Sequence, residues 1–288
     1  METTEIEFEI AENQIAIDFD ALEKQEIEEE SSVLPNELIK SVNYDWIGRE
    51  VLFCVAKVNR DEVCPNFEKL KLCGKTMTEW VLMAGGQCNK IVINDCDDIL
   101  DKIRNIQTDR KIIALFYSDT PLLDRTAFYR ILDYFSSRSI NFLQLSRGFI
   151  VKTDFLKNNP SLMSSGIGGF DDETLIVADN AKTLSYMHKM LNKKILNYHI
   201  SNGVIILGDN SIFIDADCEI DSGVVIYPNN VIEGQSIISN GSMIKSGNII
   251  RNSIIAQNCI VESSYIENSK IGQGIDIEPM SKIINEEI

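Results

Sequence analysis

The stretch EIDSGVVIYPNNVIEGQSIISNGSMIKSGNII, residues 219–250, repeats isoleucine at a period that neither a helix nor a single strand explains. An amphipathic helix repeats its apolar residues about every 3.6 positions, and a half-buried strand repeats them every 2. Here the spacing is six, and it begins before the quoted stretch. The isoleucines that share it are Ile214, Ile220, Ile226, Ile232, Ile238, Ile244 and Ile250.

A period of six is typical of a hexapeptide β-helix, in which three short strands form one coil and each strand turns one aliphatic side chain inward. Such coils bury their inner face only by stacking. Gly, Asn, Ser and Asp fill the positions between the isoleucines, as turns with positive φ require. Beyond Ile250 we expect the ladder to continue, with one-residue contractions at turns, for about four to five coils in all. The expected members are Ile254, Ile260, Ile266, Ile271, Ile277 and Ile283.

Upstream of the repeat, short apolar runs alternate with segments of helical spacing. The predicted strands are residues 51–58, 90–95, 111–118 and 149–152, and the predicted helices between them are 76–85, 97–106 and 123–138. This alternation favours a Rossmann-like parallel α/β sheet with helices on both faces, a fold that binds ligands at the carboxyl ends of its strands. Residues 158–172 are predicted as a loop and residues 180–199 as one amphipathic helix.

Composition excludes several classes of function. The net charge is -17, no stripe of Lys and Arg is visible, and nucleic acid is therefore not an expected partner. Seven scattered cysteines and two histidines do not suggest a disulfide framework or a zinc site. We find no apolar run long enough for a membrane span and no basic-apolar leader, so we expect a cytoplasmic protein without a membrane partner.

The first residues have a character of their own, because residues 1–30 alone contribute -11 of the charge. EIEFEI and IAIDFD alternate apolar and polar residues and predict a hairpin that either adds to a sheet edge or docks a basic protein partner. We therefore divide the chain into four parts. They are an acidic extension with a hairpin (1–50), a reduced α/β domain (51–184), a connecting helix (185–202) and a β-helix (203–288).

Two stretches of the α/β part contain distinctive motifs, YSDTPLL (117–123) and LCGKTMTEWVL (72–82). They resemble GDTPLL and L-x-GKPM-x-E-x-VL of the bifunctional N-acetylglucosamine-1-phosphate uridylyltransferase / glucosamine-1-phosphate acetyltransferase family. NYHISNGVII (197–206) and the repeats that follow it continue the likeness to the end of the chain. The resemblance implies a sugar-1-phosphate nucleotidyltransferase domain, a β-helix that is left-handed, and assembly as a homotrimer through that helix.

The family's nucleotide loop, A-G-K-G-T-R-M, aligns with Val55–Asp61. The resemblance implies that Lys57 and Arg60 are catalytic and that they bind the nucleotide together with Ala56 and Lys69. Both loop glycines are replaced, by Ala56 and Val58, and a left-handed backbone angle at either position would cost roughly 1–2 kcal/mol. The resemblance therefore predicts a damaged nucleotide loop.

The resemblance also implies Mg²⁺ as the cofactor if the nucleotide site is functional. Asp119 matches the metal-binding aspartate of GDTPLL, and Asp179 falls where the family has its second metal ligand. Carboxylate oxygens are ligands that Mg²⁺ prefers. In-line attack of a sugar phosphate on UTP needs such a metal together with cationic side chains to neutralise charge.

Much of the family's substrate site has no counterpart in this sequence. The segment that reads uracil, the sugar-binding part of the sheet and the acetyltransferase coils are all missing from the alignment. The first hypothesis is therefore a degenerate member with no acetyl transfer and weak or lost uridylyl transfer, which serves in regulation, nucleotide sensing or assembly. The alternatives are an active Mg²⁺-dependent nucleotidyltransferase that makes an NDP-sugar, and a purely structural β-helix protein.

Overall fold

The computed structural model describes residues 44–94, 96–138, 140–159, 168–170 and 172–288. From Asp45 onward the chain forms one compact unit. The N-terminal hairpin and the docking arm that we predicted lie almost entirely outside the described residues. The boundaries of the four parts therefore stay a prediction.

The first half of this unit is a mixed six-stranded sheet with helices on both faces. Its strands, in the order β4-β1-β5-β7-β6-β8, are β1 (Val51–Ala56), β4 (Asn89–Ile93), β5 (Ile112–Tyr117), β6 (Phe142–Leu145), β7 (Gly148–Lys152) and β8 (Gly168–Phe170). A small hairpin of β2 (Lys71–Leu72) and β3 (Lys75–Thr76) stands apart from this sheet. The helices are Asp45–Glu50, Met77–Ala84, Ile99–Arg104, Arg125–Ser137 and Thr153–Asn158. The four predicted strands and three predicted helices are thereby confirmed.

The expectation of a purely parallel sheet is wrong for the second half of the sheet. β1 pairs in parallel with β4 and β5, but β7 runs antiparallel to both β5 and β6. The reversal comes from a two-residue turn, Ser146-Arg147, because Leu145 and Gly148 are already paired. Gly148 has φ 129°, and a Cβ there would lie 2.3 Å from the Leu115 carbonyl oxygen, so only glycine allows this close approach.

The segment 158–172, predicted as a loop, also contains a strand. Gly168–Phe170 pairs in parallel with β6 and closes the sheet at that edge. Glycine is depleted in strands, so composition argued against this assignment, and pairing with an existing strand overrides the weak local preference.

A ligand crevice is expected where the connections leave adjacent strands in opposite directions. β1 and β5 are neighbours in the sheet. After β1 the chain passes to β4, at the edge next to β1, and after β5 it passes to the opposite side of the sheet, where β7 and β6 lie. The crevice is therefore expected between the carboxyl ends of β1 and β5. The residues that follow these strands, from Lys57 and from Ser118, therefore line the expected crevice.

The second half of the unit is a parallel β-solenoid of about four turns, preceded by the helix Ala181–Ser201. One sheet contains Ile212–Ile214, Asn230–Glu233, Ile249–Arg251, Tyr265–Glu267 and Lys282–Ile284. A second contains Glu219–Ile220, Ile237–Ile238, Ile254–Ile255 and Lys270–Ile271, and a third contains Ile205–Ile206, Val225–Ile226, Met243–Ile244, Ile260–Val261 and Asp276–Ile277. The predicted amphipathic helix and the hexapeptide solenoid are confirmed.

The isoleucines from Ile214 to Ile250 are all buried and form the inner ladder, as their spacing predicts. Two later assignments are wrong. Ile254 is 36% exposed and Ile260 is half-buried, whereas their neighbours Ile255 and Val261 are fully buried. The inward residues therefore advance by five from Ile250 to Ile255, across a corner at which Asn252 has φ 47°. Successive residues of a strand face opposite sides of the sheet. Shortening the step from six residues to five therefore turns Ile255 inward and Ile254 outward.

Side chains at the solenoid corners link each coil to the next. Asn230 Oδ1 accepts from the backbone N–H of Asn248 (2.9 Å), and Asn248 Oδ1 accepts from that of Ser264 (2.9 Å). At another corner the hydroxyls of Ser236 and Ser253 accept from backbone N–H groups of the next coil. These buried polar groups are thereby hydrogen-bonded, as the solenoid interior requires.

The solenoid shares a hydrophobic core with the α/β half. Phe67, Leu72 and Trp80 from the α/β half, together with Leu191 of the long helix, belong to the same cluster as the inner ladder. The Trp80 indole N–H donates to the Leu72 carbonyl (2.8 Å) within this core. The long helix and the β2–β3 hairpin thus cover the base of the first coil.

Across the described ranges, no helix combines the length and apolar character needed to span a bilayer.

Candidate functional site

The centre of the expected crevice is a fully buried carboxylate held by two arginines. Asp119 lies just beyond β5 and is 0% exposed. Arg60 donates from Nε and Nη2 to Asp119 Oδ2, at 3.0 and 2.9 Å. Arg147 donates from Nε to Oδ1 at 3.0 Å and from Nη2 to Oδ2 at 2.7 Å. Both carboxylate oxygens are therefore engaged by guanidinium groups. We call Arg60, Asp119 and Arg147 the arginine–aspartate cluster.

Arg147 reaches the cluster because the two-residue turn between β6 and β7 projects over the carboxyl end of β5. Its guanidinium lies 4.1 Å from the ring centre of Tyr117, the last residue of β5, in a cation–π contact. Burial raises the pKa of the Tyr117 hydroxyl, and the charge of Arg147 opposes that rise. Sequence reasoning missed Arg147, because nothing in its local pattern indicates the hairpin. The one available signal was Gly148, because a glycine directly before a predicted strand is typical of a tight turn.

The loop after β1 uses its backbone donors internally. The Lys57 N–H donates to the Ile93 carbonyl (2.8 Å), and the Val58 N–H donates to the Ser118 hydroxyl (2.9 Å). A glycine-rich loop would instead present such groups to phosphate oxygens. Neither Ala56 nor Val58 has positive φ, so their side chains cause no backbone strain. The loop therefore has ordinary backbone angles and directs these two N–H groups into the protein.

The other predicted nucleotide-binding residues occupy different environments. Ala56 is fully buried as the last residue of β1, and its carbonyl accepts from the Ser118 N–H (2.9 Å). Lys57 is half-buried, and its carbonyl accepts from the Cys96 thiol (2.8 Å). Lys69 is exposed at the end of a short 3-10 helix, Phe67–Lys69. Lys57 and Arg60 follow β1 into the crevice, whereas no described contact places Lys69 there.

Asp179 lies beside the cluster along the backbone but makes contacts of another kind. The N–H of Ala178 donates to the Asp119 carbonyl (2.8 Å), so the two segments run side by side. The exposed Asp179 carboxylate accepts from the Asn180 amide (2.7 Å) and the Thr183 hydroxyl (3.1 Å) at the first turn of the long helix. A negative charge at this position is also stabilised by the positive end of the helix dipole.

The cluster as arranged does not fit a magnesium ion. Mg²⁺ needs oxygen ligands at about 2.0–2.1 Å, and both oxygens of Asp119 already accept from guanidinium groups. Two positive charges next to one carboxylate also repel a further cation. Among the described residues, no group of three or more His, Cys, Asp or Glu side chains is placed to hold a metal. The assignment of Asp119 and Asp179 to Mg²⁺ stays a prediction.

What the cluster offers is an excess of positive charge at a partly open site. The side chains of Arg60 and Arg147 are 22% and 26% exposed. The two guanidinium groups and one carboxylate leave a net charge of about +1. Both arginines use Nε and Nη2 for Asp119, so Nη1 of each lies outside the pair. Guanidinium donors in this setting suit the oxygens of a phosphate group.

Comparison with known sequences gives partial matches of one kind. No family model matches the chain. The chain is 27% identical to the bifunctional protein GlmU of Bacillus subtilis over 180 residues, which are 62% of this chain and 39% of that protein. It is 32% identical to the bifunctional protein GlmU of Clostridium acetobutylicum over 111 residues, covering 38% of this chain and 24% of that protein. It is 25% identical to the bifunctional protein GlmU of Geobacillus sp. (strain WCH70) over 198 residues, covering 67% of this chain and 42% of that protein.

These matches and the C-terminal solenoid fit a shortened, GlmU-like family, as the motifs predict. The chain spans less than half the length of these relatives. Among solved structures, a CMP:2-keto-3-deoxy-manno-octonic acid synthetase complexed with CTP has a TM-score of 0.40 and 12% identity, covering 50% of this chain and 99% of that one. Rv0371c from Mycobacterium tuberculosis H37Rv has a TM-score of 0.36 and 11% identity, covering 49% and 97%.

Proposed function

We propose that this chain, which fits a shortened GlmU-like family, is a sugar-nucleotidyltransferase-like protein that binds a nucleotide or nucleotide sugar and has weak or no uridylyl transfer. Its role on this proposal is regulation, nucleotide sensing or assembly. The observation that carries the proposal is the arginine–aspartate cluster. In Asp119, which the resemblance assigns to the metal, Oδ2 accepts from Arg60 and Arg147 and Oδ1 accepts from Arg147.

The chemistry of nucleotidyl transfer explains why this arrangement favours binding over reaction. Transfer needs phosphates held in line and the charge of the leaving pyrophosphate neutralised as it develops. The backbone N–H groups of Lys57 and Val58, which could otherwise hold such phosphates, donate within the protein to the Ile93 carbonyl and the Ser118 hydroxyl. Arg60 and Arg147 supply positive charge that can bind an anion. Asp119, which the resemblance assigns to the metal, already accepts hydrogen bonds from both arginines.

The test compares catalysis with binding in the same preparation. Purified protein with Mg²⁺, UTP and N-acetylglucosamine 1-phosphate is expected to release no pyrophosphate at enzymatic rates, next to an active uridylyltransferase as a positive control. The thermal unfolding midpoint is expected to rise with a nucleotide or nucleotide sugar, because a ligand that binds only the native state stabilises it. Ordinary turnover, or no shift with any member of the panel, would contradict the proposal.

A second candidate function is an active nucleotidyltransferase with an altered site. The retention of Lys57, Arg60 and Asp119 around one crevice favours it. Asp119→Ala does not discriminate cleanly, because removing a buried partner leaves two guanidinium groups without their counter-charge. Lys57→Met is the better variant, since this half-buried side chain leaves no such charge behind. If pyrophosphate is released, the variant is expected to abolish the release with its unfolding midpoint unchanged.

We also propose the homotrimer through the solenoid that the resemblance implies. Exposed apolar side chains along the coils, such as Ile205 and Ile254, are consistent with a packed surface. Sedimentation equilibrium is expected to give three times the chain mass, and a monomer at micromolar concentration would contradict this. A purely structural protein, the third alternative, predicts trimers without any ligand-induced shift.

A further inference from the structure

Arg147 is the residue of the cluster that the family resemblance does not supply. It reaches Asp119 from a hairpin turn 28 residues away in sequence, and it binds both carboxylate oxygens. We infer that the guanidinium of Arg147 takes the place of a metal ion, so that this site binds the phosphate of its ligand without Mg²⁺ and binds the Mg²⁺ complex more weakly. This inference rests on the proposed function, because it concerns the same ligand site.

The geometry holds Arg147 in one orientation. Its Nε and Nη2 are fixed by two bonds to a fully buried carboxylate, and the face of its guanidinium lies on Tyr117. A planar group fixed on one edge and one face presents its remaining edge in a constant direction. Arg60 is fixed on the same carboxylate by the same two nitrogens. Asp119 therefore positions two guanidinium groups, as a metal site positions its ion.

The balance of charge determines which form of the ligand is favoured. A terminal phosphate carries close to two negative charges at neutral pH, and it accepts strong bonds from guanidinium donors. Bound Mg²⁺ cancels those charges and occupies the same oxygens. A magnesium complex would also bring a divalent cation close to two arginines. The metal-free phosphate is accordingly the better ligand.

One nearby carboxylate opposes this binding only weakly. Glu62 lies 4.0 Å from Arg60 Nη1, but its side chain is 70% exposed. Water screens an exposed charge of this kind.

Because the favoured group is a terminal phosphate without a metal ion, the ligand class is a phosphate monoester or the terminal phosphate of a nucleoside diphosphate. UDP is the practical probe.

The experiment is titration calorimetry of the full chain with UDP, in excess EDTA and in excess MgCl₂. We expect binding in EDTA and a severalfold weaker affinity in MgCl₂. Arg147→Met removes one fork of donors to a charged group and is expected to weaken binding in EDTA about ten- to a hundredfold. Arg147→Lys keeps the charge without the fork, so it is expected to recover part of the loss.

Arg138→Met is the matched control, because Arg138 also stacks on a tyrosine, at 3.8 Å from the ring centre of Tyr134, but is no part of the cluster. Its affinity for UDP is expected to equal that of the unaltered protein. Circular dichroism of each variant separates a lost site from a lost fold, and Arg147→Lys keeps the test decisive if Arg147→Met does not fold.

Two results would overturn the inference while leaving the proposed function intact. The first is binding of UDP by the unaltered protein only when MgCl₂ is present. The second is an unchanged affinity for UDP in EDTA when Arg147→Met is folded, which would mean that Arg147 does not hold the phosphate. Absence of binding in both conditions, for UDP and for the whole nucleotide panel, would refute the proposed function and this inference together.

Discussion

Two adjacent isoleucines in one strand of the solenoid provide a direct test of the inner ladder. Ile250 is fully buried and pairs with Ile232 in the coil below and Ile266 in the coil above. Ile249, its neighbour in the same strand, points outward and is 38% exposed. Replacing each in turn by alanine removes the same three carbons from opposite faces of the same strand.

The expected cost follows from the burial of each side chain. Three buried carbons at about 0.8 kcal/mol each give roughly 2.4 kcal/mol of lost transfer free energy at Ile250. A cavity term adds to this, because the residues above and below are fixed by backbone pairing and cannot collapse into the gap, so the total is about 3–4 kcal/mol. Ile249 loses only part of the transfer term and leaves no cavity, which gives about 1 kcal/mol.

The assay is guanidinium unfolding followed by tryptophan fluorescence in a Trp46→Phe background. The remaining tryptophan, Trp80, lies in the core that the ladder shares with the α/β half. Ile250→Ala is expected to lower the free energy of unfolding by about 2 kcal/mol more than Ile249→Ala, with the same dependence on denaturant. Protein concentration is varied, since an assembled solenoid would add a concentration-dependent term. Equal losses at both positions would refute the assignment of one inward residue per strand.

Two further perturbations test the junction between the halves of the molecule. Burial raises the pKa of Asp215 above its value in the unfolded chain, so the free energy of unfolding falls as pH rises from the unfolded-state pKa through the folded-state pKa. Asp215→Asn can still accept from the Gly234 N–H and is expected to raise the unfolding midpoint at neutral pH. A gain that failed to shrink on acidification would contradict this. At Gly74, φ is 84° and an added Cβ would lie only 2.8 Å from Asp215 Cγ. At Gly274, φ is 72° and an added Cβ would have nothing within 4 Å, so Gly274→Ala has only the backbone cost of about 1 kcal/mol. Gly74→Ala is therefore expected to lower the unfolding midpoint more than Gly274→Ala. Equal midpoints for the two glycine variants would show that the close approach relaxes freely.

The features that could be predicted from the sequence are those with a strong period. The six-residue ladder follows from the isoleucines alone, and the buried strands of the sheet follow from short apolar runs between helices. The ladder became ambiguous where two apolar residues stand together, as at Ile254 and Ile255. A corner shortened by one residue decides which of them turns inward, and the pattern does not mark that corner.

The candidate site was only partly predictable, because its key contact joins distant segments. Arg60 and Asp119 were found by motif, but their mutual bond was not, since the motif implied a metal between phosphate and carboxylate. Arg147 depends on a reversal of the chain that no apolar pattern signals. The strain expected at Val58 is also absent, because the loop takes ordinary backbone angles and directs its N–H to Ser118.

The side-chain links at the solenoid corners have a consequence for how the molecule is built. Paired strands of neighbouring coils lie 16–20 residues apart in sequence, from 16 for Ile254 and Lys270 to 20 for Ile205 and Val225. In each link described, the oxygen belongs to the earlier coil and the backbone donor to the later one. These corner contacts of a coil therefore depend on the coil before it, whereas the first coil rests on the α/β half through the hydrophobic core that they share. Contacts between neighbouring coils are local in sequence, which favours faster folding than a sheet of the same size built from distant pairings.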